Sequence, residues 1–402
     1  MSWQLERVTV TGRGFEAPPG DVERAMLRRP QPDSQGRSPV AAGEQRELRR
    51  RCKRERRLIE ILDGQEDYIF AIHDSVQRLV DLDIEFGGDA VSIYAMRVLL
   101  AVCRQLRLGT YQASCEHDLY AAAAELAELT GWLLCDANHQ IAAYWVNHTA
   151  MTLSRLAGDR SMELFVTHNM SLQATYPRRP AEALELVQPV LDNRRLTSRL
   201  NSMFQLRAAR SYAQMSRRRE ALKTLDHAAN LFFDGVTDHD PAWSWWISER
   251  GLNSTTAAIH GSLGDWKAAI PSLYRALEAT PAAARRDRHL YLCTLLHAQL
   301  EIGARQDAER TAENLAPLIG TVGSARPLAC LEATINQPNK FGPPTKTPGR
   351  NRASTARNPR GKQKAAPNSM RFQMILAAHF PSMMHHRVSS NDAARRWIVA
   401  CG

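Results

Sequence analysis

The chain has few of the features that mark membrane, disulfide-rich or strand-rich proteins. Its seven cysteines lie singly along 402 residues without a C-x-x-C pair, which indicates small buried side chains rather than a disulfide framework. No apolar run approaches the roughly 20 residues that a membrane-spanning helix needs, and the stretch after Met1 does not resemble a signal peptide. These absences predict a cytoplasmic protein without membrane contact.

Catalytic signatures are missing as well. The sequence contains no G-x-x-x-x-G-K-[ST] loop, no H-E-x-x-H and no G-x-S-x-G. Cys115 and His117 could form half of a metal site, but two further ligands at suitable spacing are lacking. We therefore predict that the chain is not an enzyme, has no catalytic residues and binds neither a metal nor another cofactor.

What the sequence does contain is helical periodicity. Leu119, Leu126 and Leu133 fall on one stripe of 3.6-residue period, and Gly or Pro separates such segments. The predicted helices are 44–62, 65–83, 88–107, 117–135, 139–156, 160–176, 180–192, 197–215, 219–233, 242–263, 266–279, 285–303 and 306–320. No alternating strand pattern of any length occurs, so the fold class is all-α.

Small residues recur along these helices between Ala124 and Leu328. The clearest copy places Ala209 and Tyr212 on a first helix, with Ala221 and Leu225 on a second. Alanines open five second helices at intervals of 38 to 48 residues: Ala143, Ala183, Ala221, Ala269 and Ala308. Two helices cross closely only where side chains are small, so this pattern predicts a succession of helical hairpins.

The pattern resembles tetratricopeptide repeats, whose consensus unit is about 34 residues. Six segments carry a closer resemblance to a known family: FGGDA at 86–90, ELAEL at 125–129 followed by Gly131 and Trp132, HNMS at 168–171, DPAW at 240–243, RDRHLYL at 286–292 and VGSAR at 322–326. They are similar to the C-terminal repeat domain of actinobacterial helix-turn-helix transcriptional regulators, over roughly residues 58 to 332. The resemblance implies a right-handed solenoid of helical hairpins whose repeat domain receives a signal or partner, without catalytic residues.

The ends of the chain depart from that family. Residues 1–43, where a helix-turn-helix is expected, are rich in Pro and Gly and show little periodicity, so the DNA-binding half is missing in our interpretation. We predict a disordered extension at 1–43, a helical cap or degenerate repeat at 44–116 and the repeat array at 117–332. Residues 333–402 form a basic low-complexity tail, interpreted as disordered or frame-shifted.

Positive charge is concentrated in two places. Residues 337–402 hold 12 Lys and Arg against one Asp, whereas the rest of the chain is balanced at 40 basic and 41 acidic residues. Arg46 to Arg57 holds eight basic residues against two Glu. The tail is either a DNA-binding arm, a passive tail or a product of a shifted reading frame. The basic run is either a solvated helix face or a DNA contact through Arg49, Arg50, Arg51, Lys53 and Arg54.

The first helices of a solenoid line its concave face, which gives a candidate binding groove. The residues that the repeat register places there are His168, Asn169, Arg207, Arg210, Trp246, Glu249, Asn253 and His297. Arginine can form a forked contact with a peptide carboxylate, and asparagine can bond a peptide backbone. The alternative is pairing across neighbouring helices, such as Arg207 or Arg210 with Glu249. We interpret Trp243 and its neighbouring tryptophans mainly as a core and hairpin anchor.

These observations favour a regulatory or sensory interaction module, active in transcriptional regulation, that binds a peptide or protein partner in the groove. The alternative is a DNA-binding transcriptional regulator that contacts DNA through Arg46 to Arg57 and the basic tail. A homodimer stays open under either interpretation.

Overall fold

The computed structural model describes residue 50 and residues 65–335, with gaps at 110, 177–178, 194 and 320. Within that part the chain forms thirteen α-helices and no strand, which confirms the all-α class. The helices are α1 (Gln65–Phe86), α2 (Gly88–Leu108), α3 (Glu116–Asp136), α4 (Gln140–Leu156), α5 (Arg160–Thr175), α6 (Pro180–Asp192), α7 (Ser198–Gln214), α8 (Arg218–Phe233), α9 (Glu249–Ser262), α10 (Trp266–Glu278), α11 (Arg285–Glu301), α12 (Arg305–Leu315) and α13 (Ala325–Ile335). Short 3₁₀ turns lie at Ala113–Cys115, Ala242–Trp246 and Ala316–Leu318.

Twelve of these helices coincide with predicted ones, and most ends agree within two or three residues. The prediction of a single helix over 242–263 is wrong, because 242–246 form a 3₁₀ turn and α9 begins at Glu249. Ser248 is extended there and caps α9 by accepting a hydrogen bond from the Gly251 amide at 3.4 Å. Helix α13 was not predicted, and the predicted helix 44–62 lies outside the described residues apart from Arg50.

Helices that follow one another along the chain pack together, and small residues lie where they cross. The alanines that open the second helices are fully buried, as expected: Ala143, Ala183, Ala221, Ala269 and Ala308. On α3, a Cβ added at Gly131 would collide with the Asn147 amide of α4. A side chain at Gly131 would therefore displace the Asn147 amide, which donates to Gln173 at 3.0 Å.

The two ends of the described chain meet. Helix α11 packs against α1 as well as against its neighbours in sequence. The Gly323 amide donates to the Phe86 carbonyl at 2.7 Å, and the Asp89 amide donates to the Gly323 carbonyl at 2.9 Å. Gly87, at φ +80°, approaches so closely that a Cβ would lie 2.5 Å from the Gly323 oxygen. The contacts of residues 83–89 and Asp136 with residues 286 and 323–326 are called the closure below.

Candidate ligand-binding pocket

A cavity of about 360 Å³ lies among alternate helices of the array. Most of its lining comes from α1, α3, α5, α7, α9 and α11, and the segment 243–248 covers one side. Within the described chain, α2, α4, α6 and α12 supply no lining residue. In each pair of consecutive helices from α1 to α12, the first therefore faces the cavity, whereas the second contributes at most one residue, Phe232 of α8 or Leu273 of α10.

A chain of hydrogen bonds crosses one wall of the cavity, joining α7, α5 and α3. Nε of Arg207 donates to Nε2 of His168 at 2.8 Å, so the ring proton of a neutral His168 lies on Nδ1. Nδ1 then donates to Oδ1 of Asn169 at 3.2 Å, and Nδ2 of Asn169 donates to Oε1 of Glu128. Because each of these side chains is held by a hydrogen bond to the next, the wall is pre-organised.

Burial sets the charges along that wall. It lowers the pKa of His168 well below its usual value, with the positive charge of Arg207 acting in the same direction. Burial also raises the pKa of Glu128 to about 8, although the bond from Asn169 opposes the rise. The pKa of Arg207 falls to about 9 through burial and the nearby charge of Arg210. At neutral pH the wall therefore holds a neutral histidine, a largely protonated glutamic acid and a charged arginine.

Aromatic rings form the adjoining wall. The ring of Phe165 stacks with that of Trp243 at a centroid distance of 4.5 Å and with that of Trp246 at 5.5 Å. The Trp246 ring also lies 5.0 Å from the imidazole of His168, which joins the aromatic wall to the polar one. Trp243 donates from Nε1 to the Ser161 hydroxyl at 2.8 Å and packs against two core clusters, so it also serves as an anchor.

The closure supplies a third wall, rich in ion pairs. Arg286 contacts Asp83 at 3.3 Å, Asp287 at 3.0 Å and Asp136 at 3.8 Å, while Arg326 contacts Asp136 at 3.5 Å. Burial opposes the charge of Arg286, but the three carboxylates together raise its pKa above the ordinary value. Asp83, Asp136 and Asp287 are therefore each paired with an arginine.

Five of the eight predicted groove residues line the cavity: His168, Asn169, Arg207, Arg210 and Trp246. Three do not. Glu249 is exposed at the start of α9. The side-chain amide of Asn253 donates to the main-chain carbonyl of Glu249 at 3.0 Å. His297 is buried elsewhere, with Nδ1 2.9 Å from the Thr334 hydroxyl. The alternative of pairing across neighbouring helices is found for Arg207, but its partner is His168 instead of Glu249.

Most of the predicted DNA contacts lie outside the residues that the structure describes. Arg49, Arg51, Lys53 and Arg54 lie outside the described residues, as does the basic tail, and Arg50 is helical and exposed. Among the described residues, no group of three or more His, Cys, Asp or Glu side chains could hold a metal ion. The DNA interpretation therefore stays a prediction.

Several cavity residues were not singled out from the sequence, notably Glu128, Phe165, Arg286 and Arg326. Three of them occur in the segments that carry the family resemblance, so a signal was present. What could not be seen is that segments about 200 residues apart in the chain meet at one cavity, because helical periodicity reports only local geometry.

No protein-family model matches this sequence, and no curated protein matches it. The resemblance to the repeat domains of transcriptional regulators therefore stays an expectation that rests on the quoted segments. Of the helices described, none combines the length and the apolar character needed to cross a bilayer.

Proposed function

We propose that this chain is a sensory or regulatory interaction module that holds the end of a peptide or protein partner in the central cavity. In this proposal the helix pairs are tetratricopeptide-like hairpins wound into a right-handed solenoid. The observation that carries it is the enclosure of one cavity by alternate helices, with a polar wall built on His168 and Arg207 beside an aromatic wall built on Phe165.

The size of the cavity decides what kind of partner fits. Pockets for small ligands typically measure about 300–1,000 Å³, so 360 Å³ suits one or two side chains of a peptide end rather than a folded surface. The stacked rings supply apolar area, and the pre-organised hydrogen bonds supply orientation. Little ordering of side chains is needed on binding, which favours affinity.

The regulatory part of the proposal follows from the closure. Arg286 and Arg326 line the same cavity that would hold the ligand, and they also join the two ends of the array. A ligand that contacts these groups changes the balance of ion pairs at the closure, and a change there alters how the ends meet. The link to transcription rests on the sequence resemblance alone.

The experiment is a screen of short peptides for saturable binding, read by calorimetry, with two neighbouring α9 variants. Thr255 lines the cavity, whereas Thr256 does not and its hydroxyl bonds the Leu252 carbonyl of its own helix at 2.9 Å. Thr255→Trp fills the cavity and is expected to abolish binding, while Thr256→Trp leaves it within about threefold. If no peptide binds, or if both variants bind as well as the wild type, the proposal fails.

A further inference from the structure

The carboxylates that line the cavity all have partners. Asp83 and Asp287 contact Arg286, and Asp287 also contacts Arg250 at 3.2 Å. Glu125 lies 2.6 Å from Nδ1 of His73, and Glu128 accepts from Asn169. Because each acidic group is engaged by another side chain, none of them is left to compensate further positive charge in the cavity.

Arg207 is a charge without such compensation. Its side chain is buried, and Nε donates to the neutral His168. Among the described residues no carboxylate forms an ion pair with Arg207, and the charges that lower its pKa are those of Arg210 and Arg326. A buried guanidinium among other cations is unfavourable, and an anion placed against it relieves that cost.

The aromatic wall lies directly beside this charge. Trp246 is 5.0 Å from the imidazole that accepts from Arg207, and Phe165 stacks on Trp246. One small ligand can therefore touch both walls. Aromatic rings favour stacked or edge-to-face neighbours, so a ring on the ligand gains more there than an aliphatic chain of similar area.

We propose that the cavity selects a ligand that carries a carboxylate and an aromatic ring, with the carboxylate against Arg207 and the ring against the wall of Phe165 and Trp246. The inference rests on the proposed function only in using the same cavity. The ligand chemistry could come from a peptide that ends in an aromatic residue or from a small aromatic acid. A carboxylate matches the planar guanidinium fork, and its single charge matches one uncompensated arginine.

The first test uses the unaltered protein with four probes: the tripeptide Ala-Ala-Phe, its C-terminal amide, 3-phenylpropanoate and inorganic phosphate. Binding is followed by calorimetry and by tryptophan fluorescence, since Trp243 and Trp246 line the cavity. We expect the amide to bind about tenfold to a hundredfold more weakly than the free acid, because a charge-assisted contact is lost. Equal binding of acid and amide would overturn the inference, and so would phosphate displacing both aromatic acids.

The second test compares arginine variants. Arg207→Gln removes the charge while keeping an amide that can donate, and Arg207→Lys keeps the charge without the fork. Arg219 is exposed on α8, so Arg219→Gln is the matched control. We expect about a tenfold or greater loss for Arg207→Gln, a smaller loss for Arg207→Lys and none for the control. Unchanged binding by Arg207→Gln, with its fold verified by circular dichroism, contradicts the inference.

The outcomes separate this inference from the proposed function. If peptides bind, lose binding in Thr255→Trp and bind equally well as C-terminal amides, the proposed function is supported. The inference about the carboxylate is then wrong. If 3-phenylpropanoate binds through Arg207 while no peptide binds, the ligand inference stands and the peptide function falls. If Ala-Ala-Phe binds through Arg207 and 3-phenylpropanoate does not, a peptide terminus is the source of the carboxylate.

Discussion

Two arginines with little exposure to solvent, Arg207 and Arg286, line the same cavity under opposite conditions. Arg286, in the closure, contacts the carboxylates of Asp83, Asp136 and Asp287, and its pKa lies above the ordinary value despite burial. Arg207, in the polar wall, bonds a neutral histidine, and burial together with Arg210 lowers its pKa to about 9. The positive charge of Arg286 is thus compensated by neighbouring carboxylates, whereas that of Arg207 is not.

The difference separates a structural charge from a binding charge. Removing one member of a buried ion pair leaves its partner uncompensated, so we expect the fold to depend on the closure arginine. The polar-wall arginine leaves no carboxylate behind when removed, so the fold gains little from its charge. A ligand anion can supply the compensating charge that the described residues do not provide at the polar wall.

The largest effect is expected from Arg286→Met. The change keeps much of the side-chain volume but leaves buried Asp83 without its cation, whereas Asp136 keeps Arg326, and we expect a loss of about 3–5 kcal/mol in the free energy of unfolding. Urea denaturation at neutral pH measures it, with Arg219→Met on the exposed face of α8 as the control, expected within about 0.5 kcal/mol. A loss below about 1 kcal/mol for Arg286→Met would show that the closure does not depend on this charge.

A double-mutant cycle sharpens the same point. If the loss in Arg286→Met comes from an uncompensated carboxylate, adding Asp83→Asn should recover about 1–3 kcal/mol, because the buried charge is removed together with its partner. Asp83 is the natural choice, since burial raises its pKa and Trp132 donates to it at 3.2 Å. Strict additivity of the two single changes would mean that this pair is not coupled.

The local half of this architecture could be predicted from sequence. Helix ends were found because apolar spacing and the Gly and Pro breakers act within a few residues, and the buried alanines followed from the crossings. His168, Asn169, Arg207 and Arg210, which the repeat pattern assigns to one groove, all line the cavity, and their role in binding a partner stays a prediction.

The remainder depends on tertiary contacts. The start of α9 was missed because the turn at Ala242–Trp246 is held by Trp243, whose indole bonds Ser161, 82 residues earlier in the chain. With α9 starting later than predicted, Glu249 and Asn253 fall away from the cavity. The closure joins residues near Asp83 to Arg286 and Gly323, and no periodic signal connects positions so far apart.

Glu128 in the polar wall should make the free energy of unfolding depend on pH. The pKa of Glu128 in the folded protein is raised to about 8 from an ordinary 4.5, so the folded state binds a proton that the unfolded state releases. This glutamic acid therefore stabilises the fold below about pH 4.5 relative to higher pH, and that contribution is lost as the pH rises towards 8. We expect the difference in unfolding free energy between wild type and Glu128→Gln to fall by about 4 kcal/mol between pH 5 and 8.5, with about half of that fall above pH 6.5.

Chemical denaturation of both proteins across that range measures the difference. The glutamine keeps an oxygen for Asn169, and the rest of the polar wall is the same in both proteins, so the comparison isolates Glu128. A constant difference from pH 5 to 8.5 would mean that Glu128 is already ionised at neutral pH, and the polar wall would then carry its own compensating anion.

The smallest effect is expected from Arg207→Met, the counterpart of the closure variant. The two substitutions are chemically identical, and the side chain of Arg207 is buried while that of Arg286 is 13% exposed, but Arg207 leaves behind only a neutral imidazole that has lost one donor. Loss of that hydrogen bond costs about 1 kcal/mol, and relief from the positive charges of Arg210 and Arg326 offsets it. We therefore expect the free energy of unfolding to stay within about 1 kcal/mol of wild type in the same urea experiment. A loss as large as that of Arg286→Met would show that the charge of Arg207 is needed by the fold itself, and the distinction between a structural and a binding arginine would disappear.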